Sequence, residues 1–204
     1  MNINFEQNKD PYGYSYVNCF YNLKKDYVFT SQKVCSNTFR KIKDEEQKLE
    51  RTYDVNDSFH INCLVRNPYT RVESLYKDKL LIAVTKGYYQ NCQLELIKVF
   101  GEYSFLNKEI SFERFIVEGI PTLIDKESHF FPQSKFIPKF VDNIYHLEIK
   151  EELDYVFSLF SNNHYHMHKT YDFDFVWTTN MKDTISNLYK EDFERYSYNI
   201  QYKK

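Results

Sequence analysis

Two short runs of β-branched and aromatic residues are each followed by a polar stretch, and then by apolar positions returning every three or four residues. Tyr27-Val28-Phe29-Thr30 predicts a strand, with the polar segment Ser31 to Thr38 behind it. Phe39, Ile42 and Leu49 then recur at roughly helical intervals among Lys41, Lys43, Asp44, Glu45 and Glu46, which predicts a helix. Phe59 to Val65 predicts the second strand, interrupted by Arg66-Asn67-Pro68. A residue before proline avoids the helical region, so the next helix should start at or after Pro68. Val72, Leu75, Tyr76 and Lys79-Leu80 fall on one face of that helix. Two strand-loop-helix units predict an α/β fold with a parallel sheet. Stripes at Leu94–Phe100, Phe112–Val117, Leu153–Phe160 and Ile185–Phe193 predict a helix-rich remainder, and Lys126–Phe140 reads as a loop.

No repeat, low-complexity stretch or Pro/Gly/Ser-rich linker breaks this pattern, so the expectation is one domain over residues 1–204. Aromatic residues make up 19% of the chain, enough large rings for a core without disulfides. With 27 Lys plus Arg against 29 Asp plus Glu, no global positive field exists to hold a nucleic acid. Cys19, Cys35, Cys63 and Cys92 form no CxxC pair, which argues against zinc-ribbon and thioredoxin-type sites. The opening residues lack a basic start followed by an apolar stretch, and the longest apolar run, Leu80–Val84, is far too short to cross a membrane. A cytoplasmic protein with free thiols is the expectation.

Two loops carry candidate chemistry. Thr30 to Arg40 sits where a strand hands over to a helix, and unpaired helix-end N–H groups, the short polar Ser36, Asn37 and Thr38, and Lys33 suit a phosphate or sulfate. Local features alone favour an ordinary helix cap by Ser36 or Asn37. The glycine-rich loop of nucleoside-triphosphate enzymes is absent. In the second loop Arg66 lies at a strand's C-terminal end, where open α/β sheets bind ligands, and Ser74 follows in the next helix. An arginine fork and a hydroxyl suit a phosphate; pairing of Arg66 with a surface carboxylate is the alternative.

Taken in order, the two loops resemble the carbohydrate sulfotransferase family that uses 3′-phosphoadenosine 5′-phosphosulfate (PAPS). Lys33-Val34-Cys35-Ser36-Asn37-Thr38-Phe39-Arg40 resembles the family's 5′-phosphosulfate motif, with Cys35 where Gly or Ala is usual and Asn37 in place of Thr. Arg66-Asn67-Pro68-Tyr69-Thr70-Arg71-Val72-Glu73-Ser74-Leu75-Tyr76 resembles its 3′-phosphate motif closely. Phe112-Glu113-Arg114-Phe115, His129-Phe130-Phe131-Pro132-Gln133-Ser134, Tyr145-His146-Leu147-Glu148 and Tyr189 to Tyr198 are similar to later family segments, with His146 replacing an Arg. The likeness runs from Tyr27 to Tyr198, and residues 1–26 have no counterpart in it.

The resemblance implies a nucleotide-kinase-like fold with a central, mainly parallel sheet flanked by helices. It implies PAPS as sulfuryl donor, a hydroxylated acceptor of carbohydrate type, and no metal. It assigns Lys33 to the bridging oxygen of the donor and Val34, Cys35, Ser36, Asn37 and Thr38 to the 5′-phosphosulfate. Arg66 and Ser74 go to the 3′-phosphate, and His129 matches a family histidine suited to act as general base. Read from its residues, His129 serves equally as a loop-holding group, and Glu73 or Glu148 as an alternative base, with Glu148 the more structural of the two. His164, His166 and His168 alternate but read as solvated or packed side chains, and Lys169-Thr170 resembles a Lys-Ser pair near the nucleotide. A small-molecule kinase and a non-catalytic nucleotide-binding member are the competing readings.

Overall fold

The computed structural model describes residues 3–4, 18–22, 26–30, 34–35, 38–39, 41–42, 49–51, 54–55, 60–87, 89–137, 139, 141–161 and 174–201. Its contacts divide the chain into two compact units. One comprises Met1–Asn67 and Gln133–His168, the other Pro68–Pro132 and Lys169–Lys204. Both are discontinuous in sequence, so no single linker marks either.

The first unit is built on a five-stranded sheet. Its strands are β2 (Asn18–Asn22), β3 (Asp26–Thr30), β4 (Leu49–Arg51), β6 (His60–Val65) and β7 (Asn143–His146), in spatial order β4-β2-β3-β6-β7. A separate antiparallel pair joins β1 (Ile3–Asn4) to β5 (Asp54–Val55). β3 runs parallel to β6, with Thr30 opposite Leu64, and β6 runs parallel to β7, with Val65 opposite His146. β2 is antiparallel to both β3 and β4. The α/β expectation holds, but the sheet is mixed rather than mainly parallel. Leu49 begins a strand instead of extending the helical stripe, because β2 recruits residues 49–51 as an edge.

The unit's core forms around Phe39, whose ring lies 5.4 Å from that of Phe20 and 5.4 and 5.5 Å from those of Phe157 and Phe160. Helix α7 (Lys150–Phe160) supplies the latter two, together with Leu153 and Val156, by turning its apolar stripe inward. Val34 and Phe39 are both fully buried in this cluster, so the segment after β3 is anchored at two points. Each such burial contributes about 1.5–3 kcal/mol.

The second unit is helical: α1 (Pro68–Tyr76), a π-helical continuation (Lys77–Ile82), α2 (Ala83–Lys86), α3 (Asn91–Phe100), α4 (Glu102–Leu106), α5 (Phe112–Arg114), a second π-helical stretch (Phe115–Gly119), α6 (Ile120–Leu123), α8 (Thr179–Leu188) and α9 (Lys190–Arg195). The first helix starts at Pro68, as its missing N–H and fixed φ favour. Val72, Leu75, Tyr76, Lys79 and Leu80 are all buried, the face expected from their spacing. The core is aromatic: Tyr69 meets Trp177 edge-on at 5.0 Å, and Phe112 stacks on Phe175 at 4.1 Å. Tyr hydroxyls entering it find backbone acceptors, Tyr76 on Ile110, Tyr69 on Ile200 and Tyr189 on Phe130. Among the described residues, no helix is long and apolar enough to cross a membrane.

Candidate functional site

The parallel register of β3 and β6 decides where the two loops begin. Because Thr30 and Leu64 are partners, the chain leaves both strands at the same end of the sheet. Val34, Cys35 and Thr38 on one side and Arg66 on the other therefore start from neighbouring strand ends. Lys33, Ser36 and Asn37 lie outside the described residues, as do His164, His166, His168, Lys169 and Thr170.

Cys35 has φ of 51°, in the left-handed region that favours glycine, and its carbonyl accepts the Phe39 N–H at 3.1 Å to open the helical turn. The resemblance expects Gly or Ala here, and this backbone geometry is a physical reason for glycine. Burial pushes the Cys35 thiol up to about 12; the Arg66 charge draws it down and Glu148 pushes it up. The first motif and Arg66 thus share one electrostatic neighbourhood, with Glu148 in it.

Arg66 sits directly after β6, half-buried, and its main chain is held by Gln133, which bonds both its N–H and its carbonyl. Glu148 Oε1 accepts the Asn67 N–H at 2.9 Å, so its carboxylate has the structural task that the sequence favoured for it. His146, standing where the family has an Arg, binds Glu152 of α7 through its ring at 3.0 Å.

Ser74 and His129 belong to the second unit. Ser74 is buried on α1. His129 Nδ1 lies 2.8 Å from Glu127 Oε1, and its own N–H donates to Glu127 Oε2 at 2.9 Å. Arg71, fully buried, donates to the His129 carbonyl at 3.1 Å. Burial pushes the Glu127 carboxyl up, but its bonds to His129, the His129 charge and the nearby Lys79 outweigh this and leave it below the ordinary carboxylate range. In the neutral ring with its proton on Nδ1, Nε2 carries the acceptor lone pair. That arrangement serves a base, and it serves equally to staple the turn. The alternative base Glu73 takes a hydrogen bond from Trp177 Nε1 at 2.8 Å.

Cys92, buried near the start of α3, brings a sulfur within 4.8 Å of ligand atoms of Glu127 and His129. The Glu127 oxygens in that group already engage His129. Among the described residues, Cys35, Cys63 and Cys92 are cysteines outside any disulfide bond.

Sequence reasoning missed Glu127 and gave Gln133 and Arg71 no role. Only Glu127, two residues before His129, carries a local signal for its partnership; the others act across 58 residues or more. The chain matches no protein-family model, no curated protein and no solved structure with which it was compared.

Proposed function

We propose that the chain is a sulfotransferase that moves a sulfuryl group from PAPS to a hydroxyl of a carbohydrate or related acceptor. The observation that carries this reading is the shared sheet end: in-register parallel pairing brings the ends of β3 and β6 side by side, with Val34, Cys35 and Thr38 following the one in the chain and Arg66 the other. Ligands of open α/β sheets bind at that end. The sequences of the two segments supply the rest, through their resemblance to the 5′-phosphosulfate and 3′-phosphate motifs, and with it the nucleotide-kinase-like arrangement of the unit.

In the proposed reaction the acceptor oxygen forms a bond to sulfur while the bond from sulfur to the bridging oxygen breaks. The electron pair stays with the leaving adenosine 3′,5′-bisphosphate, and the acceptor proton passes to a base. Lys33 neutralises charge growing on the bridging oxygen, which is where fixed charge lowers the barrier most. Val34, Cys35, Ser36, Asn37 and Thr38 hold the 5′-phosphosulfate and Arg66 the 3′-phosphate; the resemblance assigns Ser74 to that same phosphate and His129 to the base. The setting proposed is cytoplasmic, in keeping with a sequence whose four cysteines form no CxxC pair.

Calorimetric titration with adenosine 3′,5′-bisphosphate and with ATP tests the reading. It expects the bisphosphate to bind about tenfold or more tightly than ATP, since one phosphate–arginine bond is worth about 1.5–3 kcal/mol. Preference for ATP would turn the assignment toward a kinase, and failure of either to bind would remove it. Bisphosphate binding without turnover of PAPS in the presence of varied hydroxylated acceptors would leave a binding protein.

A further inference from the structure

Arg66 leaves β6 where the ladder stops, the place where main-chain polar groups need partners from outside the sheet. Gln133 Oε1 accepts the Arg66 N–H at 2.9 Å, and Gln133 Nε2 donates to the Arg66 carbonyl at 2.7 Å. Gln133 is fully buried and stands 67 residues away in the chain. On one side of this pair the Leu147 N–H donates to the Val65 carbonyl at 2.9 Å. On the other, Glu148 accepts the Asn67 N–H at 2.9 Å. Three consecutive residues, Val65 to Asn67, are thus fixed through their main chains by the unit's second segment. Pairing a neighbouring N–H and C=O at once takes a side chain that accepts on one atom and donates on another. Of residues of this length, the Gln amide does so, whereas an ionised Glu only accepts.

We propose that Gln133 is a positioning residue for the nucleotide's 3′-phosphate, acting through Arg66. With the Arg66 Cα held from both peptide groups, its main chain is ordered before the phosphate arrives, so less binding energy is lost to ordering. Glu148 extends the clamp by one residue, and its charge lies close enough to be felt at Cys35 of the first motif. The inference rests on the reading of Arg66 as the 3′-phosphate ligand.

The test titrates adenosine 3′,5′-bisphosphate and adenosine 5′-monophosphate into wild type and Gln133→Leu. Wild type should prefer the bisphosphate. Gln133→Leu should lose about tenfold in bisphosphate affinity, within the range of one charge-assisted bond made less well, and keep its monophosphate affinity. A glutamine that merely supports the fold would weaken both ligands alike, so equal losses overturn the proposal, as does unchanged bisphosphate affinity. A wild type that does not distinguish the two nucleotides removes the Arg66 assignment, and the clamp's role falls with it. Should Gln133→Leu fail to fold, Gln133→Glu keeps the acceptor facing the Arg66 N–H, loses the donor, and is read by the same pair of titrations.

Discussion

Arg66 and His129 are both gripped by neighbouring side chains, but the partners come from different distances along the chain. The Arg66 corner is closed by Gln133 and Glu148, 67 and 81 residues from the groups they bind, and none of its bonds exists until the sheet and the segment after residue 132 have come together. The His129 turn is closed chiefly by Glu127, two residues back, with Arg71 adding one bond to its carbonyl. A corner built from remote partners ties its own geometry to the formed unit. A turn built from its own residues is a local device whose loss is felt first as stability.

The largest effect should therefore lie on the sheet-end side. Lys33→Ala is expected to lower kcat by about 10²–10³-fold while changing the donor KM much less, because the role proposed for Lys33, neutralising charge on the bridging oxygen, acts mainly in the transition state. Steady-state kinetics with saturating PAPS and a working acceptor would check it. An unchanged kcat would make Lys33 a binding charge only.

At the turn, Glu127→Gln should cost about 1–3 kcal/mol of folding stability in urea titrations and leave bisphosphate affinity unaltered. It should also flatten the acid limb. Glu127 has its carboxyl held below the ordinary 4.5, so it contributes stability above that pH and loses it as the pH falls further. A variant with wild-type stability at neutral pH would mean that the short contacts to His129 contribute little.

Cys35 gives the smallest change and sharpens the contrast from within the first motif. Replacing it by Val places a β-branched side chain at a φ of 51° and should cost about 1–2 kcal/mol in the same titrations. The thiol, raised from 9.0 to about 12 when folded, stays protonated where the unfolded chain has ionised. Stability should accordingly fall as the pH rises from about 9 toward 12, and Cys35→Ala should lose that part of the slope.

The same contrast explains what the sequence made legible. β3, β6 and the start at Pro68 were readable because β-forming runs and proline geometry are local signals. β2 and the edge strand β7 were not. Asn18–Asn22 and Asn143–His146 are short runs ending in polar residues, and they become strands through partners elsewhere in the chain. For the same reason Leu49, apolar and in helical phase with Ile42, was drawn into a strand. Within the candidate site, the motif residues could be named from order and spacing, whereas Gln133 as the partner of Arg66 could not. An amide that pairs with a main chain 67 residues away leaves no periodic trace. The Glu-x-His spacing of Glu127 and His129 was visible in principle, since a side chain can reach a neighbour two residues on.

The central claim, that Arg66 reads the 3′-phosphate of the donor nucleotide, is tested most directly by a cycle that removes each partner in turn. Wild type and Arg66→Ala are titrated with adenosine 3′,5′-bisphosphate and with adenosine 5′-monophosphate. The account predicts that Arg66→Ala weakens the bisphosphate by about 10- to 100-fold, leaves the monophosphate nearly unchanged, and melts close to wild type. Equal weakening of both nucleotides, or bisphosphate binding as tight as that of wild type, would contradict it.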